Sequence, residues 1–328
     1  MTSPSRLWTR KNSFMKLYFM AAPCALALAV VLAIPPRSGA QIKYASGEDV
    51  APVFEGWERN ADGTFNMVFG YMNRNYDEQV DIPIGPDNKM EPGPPDQGQP
   101  AHFYTRRQEF VFKVRVPKDW GNKDLVWTLT RGDKTNKAYG TLVPVWEIGN
   151  MVYQENRGGP GDLTYPGEPN QAPSIEMVGS AQRSATVGEA LTLTVEVADD
   201  GHPVPRARRP GAAAPVRGGG VEGGVFGAKL QTPITQAVVK LDPGVRLGVT
   251  WVVYRGEPGT VTFDPMRVPV VSSGPPGSVA TAEPLSGKAT TKVTFSQPGT
   301  YRLRAYADDG VLVAPVDVTV TVQPAAKQ

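Results

Sequence analysis

The stretch Gly299-Thr-Tyr-Arg-Leu-Arg-Ala-Tyr-Ala-Asp-Asp-Gly-Val-Leu-Val-Ala-Pro-Val-Asp-Val-Thr-Val-Thr-Val322 has the period of a β-hairpin. Tyr301, Leu303, Ala305 and Ala307 alternate with Arg302, Arg304 and Tyr306, and Val316, Val318, Val320 and Val322 alternate with Asp317, Thr319 and Thr321. Between the two runs, Asp308-Asp309-Gly310 supplies a turn, because aspartate bonds its own backbone and glycine tolerates a positive φ. The pattern assigns one face to a core and the other, including Arg304 and Tyr306, to water.

Working outward, the same period recurs along most of the chain. Phe65, Met67, Phe69 and Tyr71 share a face, as do Val80, Ile82 and Ile84, and Phe110, Phe112, Val114 and Val116. Leu125, Trp127 and Leu129 alternate into the turn Arg131-Gly132-Asp133-Lys134, and 137–145 returns as a partner strand. No window longer than a turn has helical periodicity. Residues 51–153 are therefore expected to form an antiparallel β-sandwich of about six or seven strands, interrupted by a Pro/Gly-rich loop at 85–100. Residues 154–173 lack an apolar period and are expected to be a linker. A second β-sandwich is expected over 174–323, with strands at 175–178, 191–197, 249–253 and 290–295 before the hairpin. Two long loops are expected within it, at 202–232 (Arg206, Arg208, Arg209 and Arg217 among Gly, Ala and Pro) and at 267–287. The fold class is all-β.

Residues 1–40 are set apart from this pattern. A basic start precedes an apolar run, 17–34, and Ser38-Gly39-Ala40 offers small residues where a signal peptidase cuts, so the mature chain is expected to begin at Gln41 with a mobile lead-in, 41–50. The rival reading is a retained membrane anchor, since about 18 apolar residues just span a bilayer. Residues 1–40 hold five basic side chains (Arg6, Arg10, Lys11, Lys16 and Arg37) and no acidic one, so their removal takes the formal charge from +2 to −3. A general affinity for nucleic acid is not implied. Cys24, the single cysteine, lies in the apolar run, which leaves the rest of the chain without disulfides, thiol nucleophiles or cysteine metal ligands. The expected address is the periplasm, the cell surface or the medium.

Pro298-Gly299-Thr300-Tyr301, the closing Ala307-Asp308-Asp309-Gly310 and Trp251 on the third strand resemble one known family type. Residues 172–322 are similar to the immunoglobulin-like β-sandwiches of bacterial surface proteins, most closely the PKD (polycystic kidney disease) type. The resemblance implies that Tyr301 is a corner tyrosine whose hydroxyl bonds back a few residues upstream, with Leu303 in the core. Residues 51–153 resemble only uncharacterised secreted bacterial regions, which implies no function. In the implied topology 191–197 and 301–307 run in the same direction, so Asp199 and Asp200 should meet Asp308 and Asp309 at one end of the sandwich. Four such carboxylates suit Ca²⁺, the only cofactor suggested, although Asp-Asp-Gly is first of all an ordinary Asx-turn sequence.

Catalytic chemistry is thinly supplied. The two histidines, His102 and His202, are far apart and are expected in loops, and no Gly-x-Ser-x-Gly elbow is present. Asp87, Glu91 and Asp96 share one loop and could form a glycosidase pair, though acidic residues in such loops are usually solvated. Tyr76, Phe103, Tyr104 and Trp120 lie off the inner faces and could form a stacking platform for a glycan or peptide; the alternative is that they cover the core. Arg131-Gly132-Asp133 is a chance-level tripeptide, and Gly218-Gly219-Gly220 lacks the strand and helix of a phosphate loop. The expectation is a non-catalytic exported binding or scaffolding protein with a protein or polysaccharide partner. The alternatives are a carboxylate-dependent glycan hydrolase or its accessory subunit, and a purely structural spacer.

Overall fold

The computed structural model describes residues 44–157, 170–204, 237–242, 244–256, 261–272 and 283–325. The segment expected to be a signal peptide, most of the expected linker, and most of the Arg/Gly-rich loop lie outside the described residues.

The first half contains β1 (Val50–Arg59), β2 (Phe65–Asn73), β3 (Val80–Asp81), β4 (Asn88–Glu91), β5 (His102–Phe103), β6 (Arg106–Val116), β7 (Leu125–Arg131) and β8 (Lys134–Gly140). One antiparallel sheet has the order β1-β2-β6, a second the order β4-β7-β8, and β3 pairs with β5. The alternating apolar residues face one another between the sheets. Phe69 stacks on Phe112 at 5.4 Å and meets Trp127 edge-on at 6.2 Å. Gly140 is required opposite them, since a Cβ there would lie 2.9 Å from the Phe69 ring. The Pro/Gly-rich loop is ordered by buried Asn88, whose Nδ2 donates to the carbonyls of Ile82 and Pro100 while its Oδ1 accepts from Trp127 Nε1.

Two features of this half differ from the sequence reading. The return strand ends at Gly140, followed by a 3-10 turn (Pro144–Trp146) and a helix, α1 (Asn150–Arg157), where a strand end and a linker were expected. The helix is short and polar, anchored by buried Tyr153, so its sequence carries too few apolar positions to show a period. The second is Phe110. Register shifts between Phe54 and Gly56 on β1, and between Phe69 and Tyr71 along β2–β6, place β-bulges side by side. Phe110 has φ 51°, and it packs on the outer face with Val68 and Tyr153 rather than in the core with Phe112.

The second half contains β9 (Ser174–Met177), β10 (Gln182–Thr186), β11 (Ala190–Asp199), β12 (Val245–Arg255), β13 (Val261–Asp264), β14 (Arg267–Ser272), β15 (Leu285–Phe295), β16 (Gly299–Asp308) and β17 (Val313–Gln323). Its sheets have the orders β10-β17-β16-β12-β14 and β13-β15-β11-β9, with β10 parallel to β17. The expected loop at 267–287 is corrected: Arg267–Ser272 is an edge strand on β12, and β15 begins at Leu285. The proline in β14 and its half-buried pattern disguise it, as befits an edge.

The hairpin forms as expected, in register from Gly299 opposite Val322 to Asp308 opposite Val313. Trp251, Leu303, Val318 and Val320 are fully buried with Leu193, Val195 and Phe295 from the other sheet. Tyr301 is a corner tyrosine: its hydroxyl donates to the carbonyl of Gln297 at 3.0 Å. Replacing it with phenylalanine keeps the ring and orphans that carbonyl. The expected loss is about 1 kcal/mol in a urea or guanidinium melt with an unchanged slope. A loss within error would show that water replaces the hydroxyl.

Candidate functional site

The two Asp-Asp-Gly turns do converge. Gln171 N–H donates to Asp200 Oδ2, and the adjacent Asn170 donates through Nδ2 to Asp309 Oδ2 at 3.0 Å, so one short segment is tied to both turns. Each aspartate also caps its own turn. Asp199 accepts from Gly201 N, Asp200 from His202 N, Asp308 from Gly310 N, and Asp309 Oδ1 from both Val311 N and Leu312 N. Asp199, Asp308 and Asp309 are buried. Burial pushes Asp199 up to about 6 and Asp309 up to about 7, the latter raised further by the Asp199 charge.

Among the described residues no group of three or more His, Cys, Asp or Glu side chains is placed to hold a metal ion. Each carboxylate caps an amide of its own turn, as the Asx-turn alternative has it, while Asp199 Oδ1 is buried with no hydrogen-bond partner among the described residues.

What the second turn does hold is the first sandwich. Val311 is fully buried and Leu312 nearly so, in a cluster with Val68, Phe110 and Tyr153 on the outer face of the β1-β2-β6 sheet. The hairpin face expected to meet water is covered as well. Tyr306 donates its hydroxyl to the carbonyl of Val111, and the Arg304 guanidinium lies 3.6 Å over the Tyr254 ring while pairing with Asp317 at 2.6 Å. On β12 the outward residues Val252 and Tyr254 are buried too. Tyr254 O accepts from Ala101 N, and Tyr254 Oη donates to Gly98 O at 2.6 Å. All these residues lie in the single compact unit that begins at Tyr44. The signal for this contact was present in the sequence as apolar residues on both faces of β12 and an aromatic residue at 306.

The proposed stacking platform is corrected by burial. Phe103 is a core residue, 4.9 Å from Tyr71 and 6.2 Å from Trp127. Trp120 is buried, with Nε1 on Lys123 O and Lys123 Nζ 4.7 Å over its ring. Tyr104 accepts the Val253 N–H on its hydroxyl, and Tyr76 lies under the Arg106 guanidinium at 3.9 Å. These four rings therefore share no open face, because loops and the second sandwich cover them.

The acidic loop is divided in the same way. Asp96 takes a bidentate contact from Arg255, both bonds at 2.8 Å, and this hydrogen-bonded guanidinium holds its carboxyl down at about 2. Glu91 pairs with Lys89. A carboxylate held ionised across an interface is a clasp and cannot act as an acid near neutrality. His102 lies on β5, with Nδ1 2.7 Å from Asp81 and Nε2 2.7 Å from Gln79, and His202 is buried beside Asp200. His102 thus differs from the loop position expected, whereas His202 lies in a loop as expected, though a buried one.

The apolar surface left open is elsewhere. Val143 (48 % exposed), Val145 (83 %), Trp146 (48 %) and Met151 (52 %) occupy one stretch across the 3-10 turn and the start of α1. Trp146 is held by Phe54, 5.9 Å away, and the Trp57 indole donates to the carbonyl of Val143. The stretch is therefore fixed in place while its side chains face outward.

No protein-family model and no curated protein matches the chain. Among solved structures it is similar to domains 4 and 5 of the S-layer protein SbsC, with 12 % identity over 84 % of this chain and 98 % of that one, at a TM-score of 0.21. The titin domains Z1Z2 in complex with telethonin give 10 % identity over 86 % and 100 %, at 0.22. A protein of unknown function from Porphyromonas gingivalis W83 gives 9 % over 83 % and 98 %, at 0.20. Immunoglobulin-like and S-layer domains thus stand among the neighbours, at superpositions too poor to carry an argument about function; the chain itself is an all-β protein of packed sheets.

Proposed function

We propose that this chain is an exported, non-catalytic binding or scaffolding protein that recognises a protein or polysaccharide partner at the periplasm or cell surface. The supporting observation is the stretch from Val143 to Met151, in which Val143, Val145, Trp146 and Met151 are fixed and exposed together. Large apolar side chains held open in this way mark contact surfaces more often than accidents of folding. A half-exposed tryptophan locked on one edge suits either a protein hot spot or the apolar face of a sugar ring. Of the three acidic residues a hydrolase could draw on in that loop, Asp96 is committed to Arg255 and Glu91 pairs with Lys89.

The test is co-sedimentation of the full chain with a cell-envelope fraction and with its isolated polysaccharide. Retention with no sugar released is expected, and Val145→Asp with Trp146→Ala should weaken it about tenfold or more, the loss of one hot spot. Equal retention by the variant overturns the surface. Retention of neither form would leave the spacer reading.

A further inference from the structure

Among the described residues the sulfur chemistry of this chain rests on methionine alone, because the single cysteine, Cys24, lies outside them. The described methionines sit in very different surroundings. Met67 and Met90 are fully buried in the core of the first sandwich. Met72, Met177 and Met266 are half-buried, Met177 against the core of the second sandwich. Met151, by contrast, is 52 % exposed. It is the second residue of α1, and the two that follow it, Val152 and Tyr153, pack inward with Val68 and Phe110. The Tyr153 hydroxyl donates to Glu58 Oε1 at 2.5 Å. The helix is thereby held against the sheet while the Met151 thioether is left in water, in the same stretch as exposed Val143, Val145 and Trp146.

We propose that Met151 is an oxidation site that switches this contact surface off, a peroxide converting its thioether to the sulfoxide. The sulfur lone pair takes one peroxide oxygen and the O–O bond breaks. The hydroxide released collects the proton from the transferred oxygen and leaves as water. Sulfur loses two electrons and the peroxide gains them. The product places a polar oxygen inside an apolar stretch, where a partner's apolar side chains leave it without a donor, so burying it in the contact costs affinity. Selectivity follows from access, since the oxidant reaches Met151 freely and Met67 and Met90 only when the core opens. A sulfoxide reductase reverses the step. The switch rests on the reading of the stretch from Val143 to Met151 as a contact surface, whereas the order of oxidation does not.

The test treats the full chain with limiting hydrogen peroxide, maps the added oxygen by peptide mass, and co-sediments the product with the cell-envelope fraction. Among the described methionines Met151 should gain oxygen first, with Met67 and Met90 unmodified. Retention should fall about fivefold or more and return after treatment with a methionine sulfoxide reductase. Met151→Leu keeps an apolar side chain and every other oxidisable residue, so its retention should match that of the unaltered chain and survive peroxide. Oxidation of another described methionine ahead of Met151 overturns the site. Retention that does not fall, or that falls equally in Met151→Leu, overturns the switch. If the chain is not retained in any form, or if Val145→Asp with Trp146→Ala leaves retention unchanged, the contact surface has failed and the switch with it. Loss of retention in that double variant with none after peroxide leaves the surface standing and removes the switch alone.

Discussion

Val311→Asp is expected to destabilise the protein by about 4 kcal/mol or more, a larger loss than an ordinary turn substitution can produce. As the residue after Asp308-Asp309-Gly310 it belongs to a hairpin tip, and at a solvent-exposed tip a polar replacement would change stability by within about 0.5 kcal/mol. Here the side chain is fully buried between Val68, Phe110 and Tyr153, and Asp309 holds the Val311 and Leu312 amides that aim it. A charge at this place has no partner, and Asp199 and Asp309 lie near enough to interact with each other. Guanidinium melts followed by tryptophan emission read the effect. Both sandwiches contain buried tryptophans, Trp127 in the first and Trp251 in the second, so a coupled body shows both halves losing stability together. A loss under about 1 kcal/mol would mean that the hairpin tip undocks at little cost and the halves behave as separate modules.

The same residue shows which parts of the fold were legible from sequence. The period of two in 299–322 is a local property of the chain, so it gave the hairpin, its turn and the inner residues Tyr301 and Leu303. The meeting of the two Asp-Asp-Gly turns followed from the strand directions that the immunoglobulin-like resemblance implies, and Asn170 and Gln171 do bridge them. What local period cannot give is what covers an outer face. Tyr306 stands on a face assigned to water, Val252 and Tyr254 stand on the outward face of β12, and their apolar character was the available sign that something packs there. The convergence by itself does not call for calcium: each of these carboxylates bonds a backbone amide of its own turn, and among the described residues no group of three or more acidic or histidine side chains is placed to hold an ion. For Phe103 and Trp120 the alternative that they cover the core is the one that matches their burial, since a residue off the alternating face need not be exposed. Edge strands β10 and β14 and helix α1 were missed because each buries too little to impose a period.

Gly201 and Gly310 end the same Asp-Asp-Gly signature, yet alanine at the two positions is expected to cost very different amounts. Both have the positive φ that disfavours a side chain, 87° and 95°, which alone costs about 1 kcal/mol. At Gly310 an added Cβ meets only a Leu241 methyl at 3.5 Å, an ordinary contact, so Gly310→Ala should lose little beyond that. At Gly201 the Cβ would lie 2.2 Å from the carbonyl oxygen of Glu283 and 2.8 Å from its carbon. These are backbone atoms, two residues before β15 begins, so they cannot swing aside as a side-chain end would. Gly201→Ala should therefore cost about 3 kcal/mol, roughly 2 more than its counterpart, in the same guanidinium melt. Arg246 donates to the Gly201 carbonyl and Asp199 accepts the Gly201 N–H, so the turn is held from both sides and cannot rotate to make room. Equal losses in the two variants would show that the chain at Glu283 yields freely. In that case the turn at 199–201, unlike the one at 308–312, would be a surface turn and no part of the packed body.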